Sequence, residues 1–472
     1  MKTLSKTLMV LTTVLAVASA KAQSVSPVDF MRLNPYQINS NPAVDLPYYS
    51  YGMFAIANFD VSITSNSLRY KNMFDFDAQG RPEFINFVKL ANSLKDHNDL
   101  AYNLKENILS AGFRLDVGFL SVSYDLRSQG VMTFDKNLFN LMANGLSDYV
   151  GESHPFSTKM NMKMQAYQEF SVGYQLNVTK KLSLGARAKL LFGAANVNMN
   201  DLSLKIVSNP DNYAIRIYEN IDTYVNLPSP LRFEEGVFMT NGYFKLGTLF
   251  SNPGFGIDLA VDYQINDDFN LVAAVHDLGF IRWKGNAQHL FGNINDAGQF
   301  YDDGSFFFSG LDIDELQRIV SDKYYRELFM DTIKDYFRFD SENVAGYTTM
   351  LNTNILLRGS YDITAQSRVS AQLQGYFRGD SFCPAMTLAY NGSFNNMFDI
   401  CATYTAMKSS FTNFGIGVAG NFAPFHIYLA TNDIIGLVSP MNAGGFNAQF
   451  GIVFNFREQN NGVGTYTPKY MR

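Results

Sequence analysis

Alternation at period two constrains this chain more than anything else in it. In "FNAQFGIVFNF", Phe446, Ala448, Phe450, Ile452, Phe454 and Phe456 share one face of an extended strand, while Asn447, Gln449, Gly451, Val453 and Asn455 share the other. The pattern recurs in pairs around polar turns. "EFSVGYQLNVTKKLSLGARAKLLFG" sets Phe170, Val172, Tyr174 and Leu176 against Ser171, Gly173 and Gln175, then Leu182, Leu184, Ala186, Ala188 and Leu190 against Ser183, Gly185, Arg187 and Lys189. "GFGIDLAVDYQINDDFNLVAAVHDLGF" and "NILLRGSYDITAQSRVSAQLQGYF" repeat the plan, and further copies turn near Asn395 and Ala423. Such up-and-down hairpins close into a barrel or pack as a sandwich.

The order of the connections favours the barrel. With Thr179, Asp267, Thr364, Asn395 and Ala423 at one end, the long segments near 65–106, 129–157 and 285–345 all fall at the other. Tight periplasmic turns and long external loops are the asymmetry of transmembrane barrels, and a secreted sandwich has no reason for it. Aromatic content of 15%, with 27 Tyr and 41 Phe against 1 Trp, suits girdles at a membrane boundary. After the amino-terminal run no apolar helix is long enough to span a bilayer, so any crossing is made by strands. The expected fold is all-β, an antiparallel transmembrane barrel over residues 51–456. The count is about 14 strands if Asp201 to Asn226 stays outside the membrane, and about 16 if it crosses.

At the amino end, "MKTLSKTLMVLTTVLAVASAKAQ" has Lys2 and Lys6, a short apolar run and small residues, the three parts of a secretory signal peptide. Cleavage is expected after Ala22, with Ala20 the alternative, and the cell outer membrane is the expected location. An uncleaved anchor would need roughly 18 apolar residues, and Thr12 and Thr13 interrupt the run. Residues 23–50, with "RLNPYQINSNPAVDLPYYS", read as an irregular segment folded into the lumen as a plug. Residues 457–472 follow the last strand as a periplasmic tail, and the aromatic end of that strand resembles the signal read by the barrel assembly machinery.

The function classes narrow by exclusion. A net charge of −6 argues against a nucleic-acid partner. "GIGVAG", Gly415 to Gly420, matches a dinucleotide loop but lies inside an alternating strand and opens no helix. His97, His154, His276, His289 and His426 lack metal-ligand spacing, and no serine motif accompanies His276, the histidine expected to face inward. No catalytic residue, metal or cofactor is expected. Cys383 and Cys401 lie at equal distances from Gly392 in one hairpin, so either a cross-strand disulfide or two buried thiols fits the sequence.

Two long segments carry helical spacing, "LDIDELQRIVSDKYYRELFMDTIKDYF" and "PEFINFVKLANSLKDHNDLAYNLKENIL". They would bind a protein partner, form a lid, or simply pack an apolar face on the barrel rim.

"NPA", Asn41, Pro42 and Ala43, just before a first strand, resembles the amino-terminal region of the long-chain fatty-acid transporter superfamily. "FDKNLFNLMANGL", "QEFSVGYQLNVTKKLSLGARAKLLFGAANV" and "IYLATNDIIGLVSP" are similar to a narrower family of uncharacterised outer-membrane barrels of Bacteroidota, over most of the chain. The broader resemblance implies a barrel plugged by its amino-terminal segment that passes hydrophobic molecules inward.

By alternation Arg187, Lys189, Asp258, Asp262, Arg358, Asp362 and Arg378 face the lumen. They would form either a polar constriction for a substrate's charged head or a bracing network of paired charges. The expected function is passive uptake of small hydrophobic or amphipathic compounds through the plugged lumen, with outer-membrane lipid around the barrel. The alternative is a non-transporting barrel that docks surface or periplasmic proteins.

Overall fold

The computed structural model describes residues 25–46, 52–145, 149, 151, 153–208, 215–228, 231–234, 237–240, 247, 250–293, 300–301, 318, 322, 324–325, 340–378, 381–395, 397–407, 410–422 and 424–456. The expected signal peptide, residues 457–472 and nearly all of residues 311–337, for which helical spacing was expected, lie outside them.

Fourteen antiparallel strands close into one barrel. They are β1 (Gly52–Ser65), β2 (His97–Leu115), β3 (Gly118–Asp135), β4 (Phe156–Asn177), β5 (Leu182–Ser208), β6 (Asn252–Gln264) and β7 (Phe269–Trp283). The second half is β8 (Asn354–Thr364), β9 (Ser367–Arg378), β10 (Ser381–Phe394), β11 (Phe398–Met407), β12 (Ser410–Phe422), β13 (Phe425–Thr431) and β14 (Gly445–Phe456). Each strand pairs with its neighbours in sequence, and β1 closes the cylinder by pairing Gly52 with Phe113 of β2 and with Phe456 of β14. Closure leaves no free edge.

Side chains divide between the two faces as alternation demands. On β14, Phe446, Phe450 and Phe456 are exposed on the outer wall, whereas Asn447, Gln449 and Asn455 are buried inside. Phe255, Leu259, Leu373 and Leu429 continue the apolar outer wall. An apolar exterior around a polar, closed interior is the architecture of a membrane-spanning barrel.

The segment Asp201 to Asn226 does not cross. The outer part of β5 continues beyond the barrel wall and pairs with Ile215–Asn226, which pairs in turn with Ala287–Asn293. This rim sheet settles the count at fourteen.

One expectation needs correction, and one open alternative is decided. Residues 82–109 are not one helix: only Phe87–Ser93 is helical, Pro82–Ile85 is a strand, and β2 begins at His97. Pairing with β1 and β3 overrides the local helical spacing. The short helix packs on the rim, where Leu90 and Leu94 meet Leu68 and Phe134, with Leu100 and Met132 against them. The two cysteines are free. Their hairpin turns at Asn395, as expected, where φ is 51° and Phe394 pairs Phe398. Cys401 therefore faces Asn391, while Cys383 faces Tyr376 eight residues back along β10, roughly 26 Å away at strand rise.

Candidate functional site: a plugged lumen braced by buried charge

Three turns of one design build the plug. Ser26–Pro27, Asn34–Pro35 and Asn41–Pro42 each place a side-chain oxygen before a proline, and each oxygen accepts the backbone N–H two residues on, from Val28 (3.0 Å), Tyr36 (3.0 Å) and Ala43 (3.1 Å). Proline presets φ and the side chain replaces a missing backbone partner. The first two turns open the 3₁₀ helices Pro27–Phe30 and Pro35–Asn39. The "NPA" triplet is the third. A segment without strand partners is thereby folded into successive compact turns.

Small wall residues make room for it. Val28, Phe30, Met31 and Ile38 bury an apolar cluster against Ala389, Cys401, Ala419 and Ala430 of β10 to β13. Opposite, Ala43 packs on Ala260, Val272, Ala274 and Leu356. A Cβ on Gly185 would overlap the carbonyl of Pro42 and the nitrogen of Ala43, and one on Gly417 would overlap the end of Met31. Glycine is needed there for close approach.

Arginines clasp the plug by its backbone carbonyls. Arg187 donates to the carbonyl oxygens of Ile38 and of Asn39, the latter at 2.9 Å. From the other wall Arg358 donates to that of Asp29 (2.7 Å), while its guanidinium lies 4.4 Å from the Phe30 ring centroid. Arg114 holds the exit of the plug through Leu46 (2.6 Å).

Behind the plug a charge network spans β3 to β7. Lys189 Nζ lies 2.6 Å from Asp277, 2.8 Å from Asp258 and 3.5 Å from Glu169. Arg127 bridges Glu169 and Asp277, each at 2.9 Å, and His276 Nδ1 stands 3.7 Å from Asp258. Each ion is buried with an opposite charge, the condition under which buried charge is tolerated.

Of the candidate lumen charges, the structure brings Arg187, Lys189 and Asp258 together here. Arg358, Asp262 and Asp362 stand on the wall nearer the turn end: Asp262 accepts from Asn270 (2.5 Å), and Asp362 takes both donors of Arg368 (2.7 and 2.8 Å). The Arg378 side chain lies outside the described part. Arg127, Glu169 and Asp277 are additions to the set. Arg127 and Glu169 obey alternation on β3 and β4 and were open to the same reading. Asp277 was not. At φ 56° it occupies a β-bulge in which His276 and Asp277 together oppose Asp258, so both turn inward.

Two cavities flank the plug. One of about 200 Å³ on the loop side includes Asp29, Gln37, Asp60 and Asn447 in its wall, and one of about 240 Å³ on the turn side includes Asp29, Gln37, Gln366 and Ser393. Asp29 and Gln37 belong to both walls, so the plug at these residues is the partition between the cavities.

Among solved structures, a TodX monoaromatic hydrocarbon channel mutant is 11% identical, with 94% of this chain and 98% of that chain covered at a TM-score of 0.43. The Pseudomonas putida toluene transporter TodX is 10% identical over 92% and 93% of the two chains, TM-score 0.41. A Pseudomonas aeruginosa FadL homologue is 10% identical over 90% and 94%, TM-score 0.41. No curated protein matches the chain. The profile of one family matches residues 38–432, from the second plug turn to the end of β13, and the chain therefore belongs to the family of unknown function DUF5723.

Proposed function

We propose that the protein is an outer-membrane barrel through which small amphipathic compounds diffuse passively when the plug shifts, without a catalytic step or a cofactor. The observation that carries this reading is the pair of cavities sharing Asp29 and Gln37, a path interrupted by one displaceable partition. The partition is held largely by hydrogen bonds to three arginines and by an apolar cluster, with no covalent link among the described residues. Of the hydrophobic and amphipathic cargoes expected from the sequence, the amphipathic fit better, because amides, hydroxyls and carboxylates predominate in the loop-side wall while the turn-side wall mixes them with Phe30, Leu33, Val44, Leu46 and Val272. In this reading the short turns face the periplasm and the rim sheet faces outward. The signal peptide is removed after Ala22, and the aromatic end of β14 is presented to the assembly machinery.

Uptake of N-phenylnaphthylamine by cells tests the reading. Cells producing the barrel should take up the dye faster than cells without it, and the Arg187→Gln, Arg358→Gln double variant should be faster still. Equal uptake with and without the barrel, at matched surface levels, would overturn the proposal.

A further inference from the structure

A row of side-chain amides runs around the loop end of the lumen. Asn103, Gln129, Gln165 and Asn196 stand opposite one another in register on β2 to β5, and Asn226 of the rim sheet continues the row. All five are more than nine-tenths buried. Part of the row holds the wall together. Asn196 donates to the Met164 carbonyl (2.7 Å) and accepts from the Tyr347 hydroxyl (2.8 Å); Asn226 donates to the Gly285 carbonyl (2.8 Å) and accepts from Asn252 (3.0 Å); and Gln165 accepts from Thr349 (3.3 Å).

Gln129 has no such duty. Its side chain, 8% exposed, forms no hydrogen bond with any described residue, and it lines two cavities at once: the loop-side cavity against the plug and an outer cavity of about 320 Å³. Asn352, just before β8, lines the same two, and its side chain likewise has no hydrogen bond among the described residues. Among the described residues these two amides alone belong to both walls, so they mark the neck between the cavities. On the inner side of the neck, Gln374 accepts from Gln372 (2.9 Å) and keeps its Nε2 donor open. A buried amide without a protein partner is an exception in folded proteins, and a solvent molecule or a ligand must satisfy it. Each primary amide offers two N–H donors and one carbonyl acceptor. A second carboxamide matches that set in full, a hydroxyl has a single donor, a carboxylate only accepts and an ammonium only donates. The outer cavity supplies no free counter-ion: Lys163 is the one ionisable side chain among the described residues of its wall, and it is engaged. The same wall brings apolar surface from Val131, Met164 and Leu351.

We propose that the neck binds the carboxamide group of a small uncharged amphipathic compound, with Gln129 and Asn352 exchanging hydrogen bonds with it and Val131, Met164 and Leu351 beside its apolar chain. The proposal rests on the reading of the lumen as a path for amphipathic compounds and names the class that path selects. Because the neck opens into the loop-side cavity, the head group is chosen before the cargo meets the plug. A site built from donors and acceptors rejects a head group that leaves them unpaired.

Calorimetric titration of the full-length barrel in a non-ionic detergent at pH 7.5, read against protein-free micelles, is the test, with hexanamide, hexan-1-ol, hexylamine and sodium hexanoate as probes. Hexanamide should bind saturably, at least tenfold more tightly than hexylamine or hexanoate and more tightly than hexan-1-ol. Gln129→Leu together with Asn352→Leu should remove the preference, and Gln129→Glu, which trades a donor for a charge at nearly constant size, should turn it toward hexylamine. Retention of the heat-dependent gel shift shows that the variants are folded. Equal affinity for the four probes, tighter binding of a charged probe or of the alcohol, or a hexanamide preference that survives both sets of substitutions would overturn the inference. Dye uptake separates the two readings. Hexanamide binding with no barrel-dependent uptake sinks transport alone, whereas barrel-dependent uptake with no hexanamide preference sinks this inference alone.

Discussion

Lys189 and Asp277 meet at 2.6 Å in the lumen although simple alternation along β7 would turn Asp277 outward. The contact exists because a bulge at Asp277 reverses the faces of β7. Asn270, Val272, Ala274 and His276 point inward before it, and Gly279, Ile281 and Trp283 after it. One extra residue in one strand thus delivers a carboxylate to the centre of the network.

Lys189 serves three carboxylates, so its removal should cost more than an ordinary wall substitution. Lys189→Met is expected to lower stability by about 3 kcal/mol, the low end for breaking a buried ion pair, because Arg127 and Arg187 remain as partners. Urea unfolding in detergent, followed by loss of the heat-dependent gel shift, measures this. A change within about 0.5 kcal/mol, typical of uninvolved surface sites, would show that the network does not brace the wall.

At Asp277 charge and backbone are separable. Asp277→Asn keeps a residue that tolerates positive φ and loses the ion pairs with Arg127 and Lys189, whereas Asp277→Val loses the pairs and strains the bulge as well. Valine should be less stable than asparagine by about 1–2 kcal/mol. Equal stabilities in the same urea titration would mean that the positive φ carries no cost.

Gly185 lets the third plug turn lie directly on the wall. Gly185→Val inserts a side chain into the backbone of Pro42 and Ala43, an overpacking worth about 1–3 kcal/mol against the seated plug. The barrel, closed by its own ladder, should still assemble. Planar-bilayer recordings should show longer and more frequent openings than in the unsubstituted protein. An unchanged conductance would mean that the plug accommodates the added side chain in place.

The thiols offer a simple check of register. With Cys383 and Cys401 free and on separate parts of their hairpin, titration of the unreduced, denatured protein should find two reactive thiols per chain. Finding none would place the hairpin turn elsewhere.

Alternation, a local property of each strand, was sufficient for the class of fold and for the inward placement of Arg187, Lys189 and Asp258. It fails wherever a bulge adds a residue. Asp277 lies within the bulge on β7, so the sequence pattern does not assign it to its true side. The helical spacing of residues 95–109 was equally misleading, because pairing with β1 and β3 outweighs a local preference. The prolines of the plug were visible, and the repeated turn at Ser26, Asn34 and Asn41 is written in the sequence as three short polar residues before three prolines. What the turns would rest against was not. Closure of the barrel alone brings Gly185 under Pro42, and Arg187 and Arg358 to opposite sides of one plug, because those contacts depend on which strands become neighbours around the cylinder and not on any pattern along the chain.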